Sequence, residues 1–386
     1  MDRLLSPNEA KFWLMDFTAP MNTVVVVRSP RQLDPEKLSQ KSSFTLPSIV
    51  LDRHRRPRWA RTEERGTIQE ELPTGPDSWL QTAERLTDVR VGTEGSVPWH
   101  AVVIQHEGAS TLVLAVHHSL ADYRSGLWVA RQFLEGADPG RLTPPCEELL
   151  PLTAYSRPDA ESVLDQWWLP RASARWGALG PEALAEFLPP PCVARLGLIG
   201  FTEAETVALR ERFEKEGVTL NGAVAVALRD VLGTRRTAHS VDLSRFTKPP
   251  LDDAPGIAIS HVFAEVDDGE FWSSAREVRA RVFEQIAAGA AADALLIMAR
   301  ALLGQENDLS TLGAQVVITG APTLRRPGAL PAECSTGLVV SSPRGGGDVV
   351  ILWYDGSRLQ LVSSCPSGRP PLPLEAIADR LRFAIG

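Results

Sequence analysis

Cysteine is scarce in this chain. The four residues, Cys146, Cys192, Cys334 and Cys365, are far apart. No CxxC or CxxH pairing joins them, which argues against structural zinc and a disulfide framework and points to a reduced cytoplasm. Long apolar runs are also missing. No stretch of about 18 apolar residues exists, so no membrane span is expected. The opening MDRLLSPNEAKFW lacks the basic-then-apolar layout of a signal peptide. Positive charge is not in excess: 40 Lys and Arg against 48 Asp and Glu leave a formal net charge of −8. That balance speaks against nucleic acid as a main partner. The HExxH of zinc hydrolases, the GxSxG elbow of serine hydrolases and any short-period repeat are absent too.

What is present is ample core material, with 44% hydrophobic residues in 386, enough for two or three domains. TVVVVR (23–28) reads as a strand, and LDPEKL as a helix start with Asp34 as N-cap and Pro35 as first helical residue. Residues 48–60 read as a hairpin with a basic turn over Arg53 to Arg58. A second hairpin spans 99–119, with Glu107 to Ser110 as its loop. Helical spacing follows from Leu127 to Leu134, with a stop near Gly136. Residues 141–190 are proline-rich and carry Trp167, Trp168 and Trp176, as in a crossover linker between an N-terminal part (1–140) and a C-terminal part (191–386). In the latter, VARLGLIGFT reads as a strand. Thr202 with Glu205 forms a capping-box signature, and Gly217 a helix stop. A buried helix (LNGAVAVALRDVLG), strands at HSVDL, GIAISHVFAEV and QVVITG, a long helix at 271–289, a hairpin on Asp355-Gly356 and a final helix from Pro373 complete the pattern. The mixed order fits an α+β two-layer sandwich better than a parallel barrel.

The chemistry concentrates in LVLAVHHSLADYRSG (112–126). Seven histidines are present, and only His117 and His118 are adjacent. They end an apolar run that reads as a buried strand. Neighbouring side chains on a strand face opposite sides, so one faces the core and the other a cleft. An imidazole titrating near neutrality is the usual general base. Asp122 is not placed to complete a triad and is expected to hold the loop by pairing with an arginine. On spacing alone the two histidines are as readily packing residues. Zinc needs three or four ligands at known spacings, which the scattered remaining histidines do not offer.

His117-His118-Ser119-Leu120-Ala121-Asp122 matches HHxxxD, the core of an HHxxxDG signature. The chain resembles the superfamily of chloramphenicol acetyltransferase, nonribosomal peptide synthetase condensation domains, wax-ester synthases and stand-alone polyketide-associated acyltransferases, the last most of all. LSPNEAKFWLMDFTAPMNTVVVV with LDPEKL, VTLNGAVAVAL, SVDLSRF and APTLRRPGAL extend the likeness over both halves. The resemblance implies two chloramphenicol-acetyltransferase-like α/β sandwich halves forming a V around a central channel. It implies an acyltransferase with no permanently bound cofactor or metal. An acyl group would pass from a phosphopantetheine thioester, on an acyl carrier protein or coenzyme A, to a hydroxyl or amine of a natural-product or lipid acceptor. His118 would be the catalytic base, and His117 and Asp122 structural. Such relatives are often monomers.

Three departures stand out, one of them the first helix, where LSQKSSFTLPS is short and lacks the usual HPxLR-like sequence. Ser244 occupies the place of the arginine that pairs with the motif aspartate, and Arg245 follows it, so an Asp122–Arg245 pair is one expectation. Tyr123 replaces the signature glycine, which would keep the channel mouth open and allow an unusual backbone angle. Tyr123, Ser260 and Thr319 are candidate channel residues, the last two as oxyanion partners or as ordinary hydrogen-bonding groups within their sheet. Arg325 and Arg326, and Arg53 to Arg58, are candidate docking arginines for an acidic carrier or a phosphate, or simply solvated turns. Two other readings stay open: a degenerate protein that binds an acyl carrier or partner without turnover, and a wax-ester-type acyl-CoA:alcohol acyltransferase, for which no clear amphipathic membrane-contacting surface is seen.

Overall fold

The computed structural model describes residues 3–17, 19–40, 45–53, 56–75, 77–93, 96–138, 140–169, 194–251, 254–303, 315–320, 334–340, 348–366 and 368–385. In chain order the first part contains β1 (Arg3–Leu4), α1 (Pro7–Asp16), β2 (Asn22–Ser29), α2 (Pro35–Gln40), β3 (Ser48–Leu51), β4 (Pro57–Ala60), β5 (Thr67–Glu71), α3 (Ser78–Thr87), β6 (Trp99–His106), β7 (Ala109–His117), α4 (Tyr123–Glu135), α5 (Cys146–Leu149) and α6 (Ala160–Trp168). The second contains β8 (Ala194–Gly200), α7 (Glu203–Glu216), α8 (Leu220–Leu232), β9 (Arg236–Asp242), β10 (Ile259–Glu265), α9 (Phe271–Ala287), α10 (Ala290–Leu302), β11 (Val316–Gly320), β12 (Ser335–Val340), β13 (Asp348–Asp355), β14 (Arg358–Pro366) and α11 (Leu374–Ile385). Among the described residues no helix is long and apolar enough to cross a membrane.

Each part is built on its own sheet. The first runs β12-β2-β7-β6-β5 and the second β10-β9-β11-β13-β14-β8, with a small β1-β4-β3 sheet beside the first. Four successive valines in β2 are all buried, because both faces of that sheet are covered. Val25 and Val27 pack with α1 and α4, while Val24 and Val26 pack with α3 and with Val349, Ile351 and Trp353 of the other sheet. The second sheet turns its remaining face to a core it shares with α7, α8, α9 and α11. The two halves therefore meet sheet face to sheet face through a shared apolar layer.

The chain order crosses the division expected near residue 191. β11 and β13 lie in the second sheet, yet β12 between them pairs antiparallel with β2, from Ser335↔Arg28 to Val340↔Thr23. One strand of the C-terminal part thus completes the N-terminal sheet.

Most expected elements are present. Lys37 N donates to Asp34 Oδ1, so Asp34 caps α2. Thr202 and Glu205 form a reciprocal capping box, and Gly136 and Gly217 end their helices in the left-handed conformation. Two turns are tighter or shifted. The β6–β7 turn is Glu107-Gly108 alone, since Gln105 already pairs with Ser110. The last hairpin pairs Asp355 with Arg358, which moves its turn one residue on, to Gly356-Ser357. The unexpected elements are β1, α1, α3, β5, α10 and β12. For α1 the signal is present in Ser6-Pro7-Asn8-Glu9, a capping box with proline at the first helical position.

The halves are stitched at one loop. Ala121 bridges in parallel to Gly256, and Thr143 N donates to Pro255 O at 2.8 Å. Gly256 has φ +154°, and a Cβ there would lie 1.9 Å from Thr143 Oγ1. Gly256→Ala is therefore expected to lower stability by roughly 2–4 kcal/mol through clash and backbone strain. Adding Thr143→Ala should return the steric part. Denaturant unfolding of the two single variants and the double variant measures this, and strictly additive losses would contradict the clash.

Candidate active site

The site forms where β7 stops. His117 closes the strand opposite Asn22, and His118 is the first residue beyond it, its N–H donating to Met21 O at 2.7 Å. The two rings do different work. His117 is 1% exposed, and its Nδ1 accepts from Ser119 N at 3.1 Å. Its Nε2 lies 3.6 Å from Asp16 Oδ1, a separation longer than a hydrogen bond. Asp16 is itself held by Met21 N at 2.8 Å and Arg90 Nη1 at 2.9 Å. His117 thus sits inside a structural network. Gly92, at φ +73°, passes so close that its Cβ would lie 3.2 Å from that of His117.

His118 is 8% exposed. The Phe12 ring of α1 stacks on it, with centroids 4.0 Å apart and 11° between planes. Its Nδ1 has no partner of good geometry, and the acceptor that favours a proton on the ring is its own backbone carbonyl. Burial pulls the imidazole pKa down to about 4, reinforced by the positive Lys11 and opposed by that carbonyl and by Asp122. At neutral pH the ring is uncharged and able to accept a proton.

Asp122 is the N-cap of α4. Its Oδ1 accepts from Ser125 N at 3.0 Å and Ser125 Oγ at 2.9 Å. Its Oδ2 accepts from Ala258 N in the other half, at 2.8 Å. The expected pair with Arg245 is not formed. Arg245 sits in a short 3-10 turn (Leu243–Arg245), 65% exposed, with its Nε 3.8 Å from Asp242. Backbone N–H and hydroxyl donors have taken the arginine's place, because the loop 254–258 brings Ala258 directly to the carboxylate.

Tyr123 begins α4, part-buried against the first core, and burial pushes its hydroxyl pKa up to about 12. As a first helical residue it needs no positive φ, so the glycine of the signature is not required for the backbone here. Ser260 is buried on the β10 face that carries Val262 and Ala264. Alternation puts His261 on the opposite face. That face continues through Ala238 and Val317 to Val349 and Trp353, where the halves meet, and Thr319, paired with Ile351, belongs to it. Arg325 and Arg326 lie outside the described residues, as do His54 and Arg55 of the Arg53–Arg58 cluster. In that cluster Arg56 is held by Asp52 at 2.9 Å.

Lys11 and His261 near His118, and Glu147 beside Lys11, carry no sequence signal of their own. Lys11 Nζ lies 4.6 Å from the Phe12 centroid, and burial pulls its pKa down to about 8 against the attraction of Glu147. Glu147 accepts from Asn8 N at 2.8 Å, and burial pushes its carboxyl up to about 7. His261 is pulled down to about 3 by burial and by the positive charges of Lys11, His118 and His239. The Ser6–Glu9 capping box would have placed Lys11 and Phe12 on one helix. Nothing in sequence would have brought that helix to His118.

No protein-family model and no curated protein matches the sequence. Solved structures do. The first condensation domain of the CDA synthetase is similar over 100% of this chain and 95% of that one, at 15% identity and a TM-score of 0.66. Polyketide synthase associated protein 5 from Mycobacterium tuberculosis is similar over 100% and 98%, at 17% identity and a TM-score of 0.61. The epimerization domain from the third module of tyrocidine synthetase B is similar over 100% and 96%, at 14% identity and a TM-score of 0.60. The fold is the condensation-domain, chloramphenicol-acetyltransferase-like fold of two α/β halves.

Two measurements test this site. Asp122→Ala should cost roughly 2–4 kcal/mol, since it removes a helix cap and strands a buried N–H. Arg245→Ala should stay within about 0.5 kcal/mol, and equal losses would restore the arginine pairing. A histidine with a lowered folded pKa binds fewer protons folded than unfolded, so its contribution erodes as pH drops below about 6.5 towards the folded value, near 4 for His118. Glu147, raised to about 7, works in the opposite direction over the same window. The difference between wild type and His118→Gln isolates the imidazole. It should move in favour of the variant by roughly 2–3 kcal/mol between pH 6.5 and 4.5, at about 1.4 kcal/mol per unit. Parallel unfolding profiles would contradict the buried, neutral ring.

Proposed function

We propose that this protein is an acyltransferase. It moves an acyl group from a phosphopantetheine thioester, on an acyl carrier protein or coenzyme A, to a hydroxyl or amine of a small natural-product or lipid acceptor. The observation that carries this reading is the neutral imidazole of His118, buried at the junction of the halves in a fold shared with condensation domains. His118 takes the proton from the acceptor as the acceptor attacks the thioester carbonyl. The tetrahedral intermediate then collapses, the carbon–sulfur bond breaks, and the thiol leaves with a proton. No acyl-enzyme is needed. General-base help of this kind is worth about 10²–10⁴ in rate, and alignment of two substrates in one site adds to it. His117 and Asp122 hold the motif, and the thioester arm is a co-substrate rather than a resident cofactor.

Tyr123 motivates a second reading, binding of an acyl carrier without turnover. The helical conformation of Tyr123 weakens it, because no backbone distortion follows from the lost glycine. A wax-ester-type activity differs only in its substrates and falls within the same test.

The test is acceptor-dependent thiol release from short, medium and long acyl-CoAs and from one acyl-loaded carrier protein, with a panel of alcohols and amines and products read by mass spectrometry. His118→Ala should lose at least about 10²-fold in rate while keeping its melting temperature within a few degrees. Release that is equal in both proteins removes His118 from the chemistry. Carrier binding without release from any donor favours the second reading. With the base near pKa 4, the wild-type rate should hold from pH 7 down to about 5. A fall centred at 6.5 would mean an imidazole in ordinary solvent.

A further inference from the structure

β10 is the outer strand of the second sheet, and its free edge is almost wholly capped. Along an antiparallel edge strand the N–H and C=O of alternate residues point away from the partner. Here the residues at 258, 264 and 266 turn towards β9 and its flanks, with Leu243 N on Ala258 O, Thr237 Oγ1 on Ala264 O and Val266 N on Arg235 O. The outward set is therefore 259, 261, 263 and 265. Asn8 Nδ2 donates to Ile259 O at 3.0 Å. The Gln285 amide accepts from Phe263 N at 3.1 Å and donates to Phe263 O, as a neighbouring strand would. Arg281 Nη1 donates to Glu265 O at 2.6 Å. Between these caps stands His261, and among the described residues no group caps its main-chain pair. His261 also lines a cavity of about 650 Å³ between β10, α9 and α10, whose wall is apolar at Phe263 and Ile297 and charged at Arg157, Arg236, Arg281 and Asp293. The volume is that of a small-molecule site.

We propose that the main-chain N–H and C=O of His261 bind a secondary amide of the pantetheine arm, which adds to β10 as a short extra strand and so leads its thioester towards His118. The inference rests on the acyl-transfer reading above and assigns the atoms that hold the donor. An unpaired edge peptide in a cavity selects a ligand that offers a donor and an acceptor in extended geometry. Each pantetheine amide is such a group. The position suits the purpose, since Asn8 of α1, the helix whose Phe12 stacks on His118, caps the neighbouring Ile259 of the same edge.

Binding is measured by titration calorimetry on the full chain with pantetheine, with its two single amide-to-ester analogues, and with N-acetyl-alanyl-alanine methylamide. One ester analogue should bind about 5- to 10-fold more weakly, the loss of one hydrogen bond. His261→Pro removes the N–H where it points away from the sheet, a placement that edge strands tolerate. It should weaken pantetheine by a similar factor, whereas His261→Ala, which keeps the N–H, should stay within about threefold. If the proline variant fails to fold, the ester analogues on the wild-type protein carry the test. Equal binding of both esters overturns the proposal. So does a loss in His261→Ala as large as in His261→Pro, which would put the ligand on the ring. Binding of the capped dipeptide without pantetheine also overturns it. The two readings fail separately. Thiol release with no amide dependence ends this assignment alone, and amide-dependent pantetheine binding with no release from any donor ends acyl transfer alone.

Discussion

The hydrogen bond from Ala258 N to Asp122 Oδ2 joins two segments 136 residues apart, and the rest of the site depends on it. The carboxylate has two oxygens with different tasks. One caps α4 through Ser125, and the other reaches into the second half. A buried carboxylate must find such donors, because an unpaired charge in a dry interior is costly. Ser125 adds a hydroxyl contact to Gly256 O, and Thr23 Oγ1 donates to Ala121 O at 2.6 Å. The loop after His118 is thereby tied to β2 on one side and to the lead-in of β10 on the other. Together with the Ala121–Gly256 bridge and Asn8 on Ile259 O, this carboxylate joins the end of β7 to the start of β10.

Around that clamp the side chains are buried, and burial sets their protonation. Phe12 covers one face of His118, and α1 is held by the Ser6–Glu9 box, by Ser119 Oγ donating to Glu9 O at 2.7 Å, and by Asn8 on β10. The short N-terminal helix is thus a wall of the site, although it is remote from the motif in sequence. Burial keeps the imidazole neutral at the expense of base strength, a trade that suits a proton acceptor only when the proton leaves a group that becomes acidic as it attacks. Lys11 is held close by, with Glu147 beside it, and burial weakens the charged form of each.

The halves are interlocked as well as packed. β12 leaves the second sheet to pair with β2, while an apolar layer around Val24, Trp79, Ile351 and Trp353 fills the space between the sheets. A two-domain reading of the chain misses this, because strand donation has no local signature. β12 pairs with a partner more than 300 positions away.

The amino-acid sequence by itself determined the local elements and one residue's place. Valine runs, capping boxes and left-handed glycines act within a few residues, so β2, α4, α7 and α8 were legible, as was the apolar strand that ends at His117. The HHxxxD likeness named the fold that the solved structures share. Only the tertiary structure decided what surrounds His118. Lys11 and Phe12 on α1 and His261 on β10 reach it from two separate segments, and long-range contacts of that kind leave no periodic trace. It also decided the partner of Asp122, since a carboxylate takes whichever donor the packing delivers, and here that is a backbone N–H rather than Arg245. Strand alternation, finally, put Ser260 and His261 on opposite faces of β10, a difference of one residue that register alone settles.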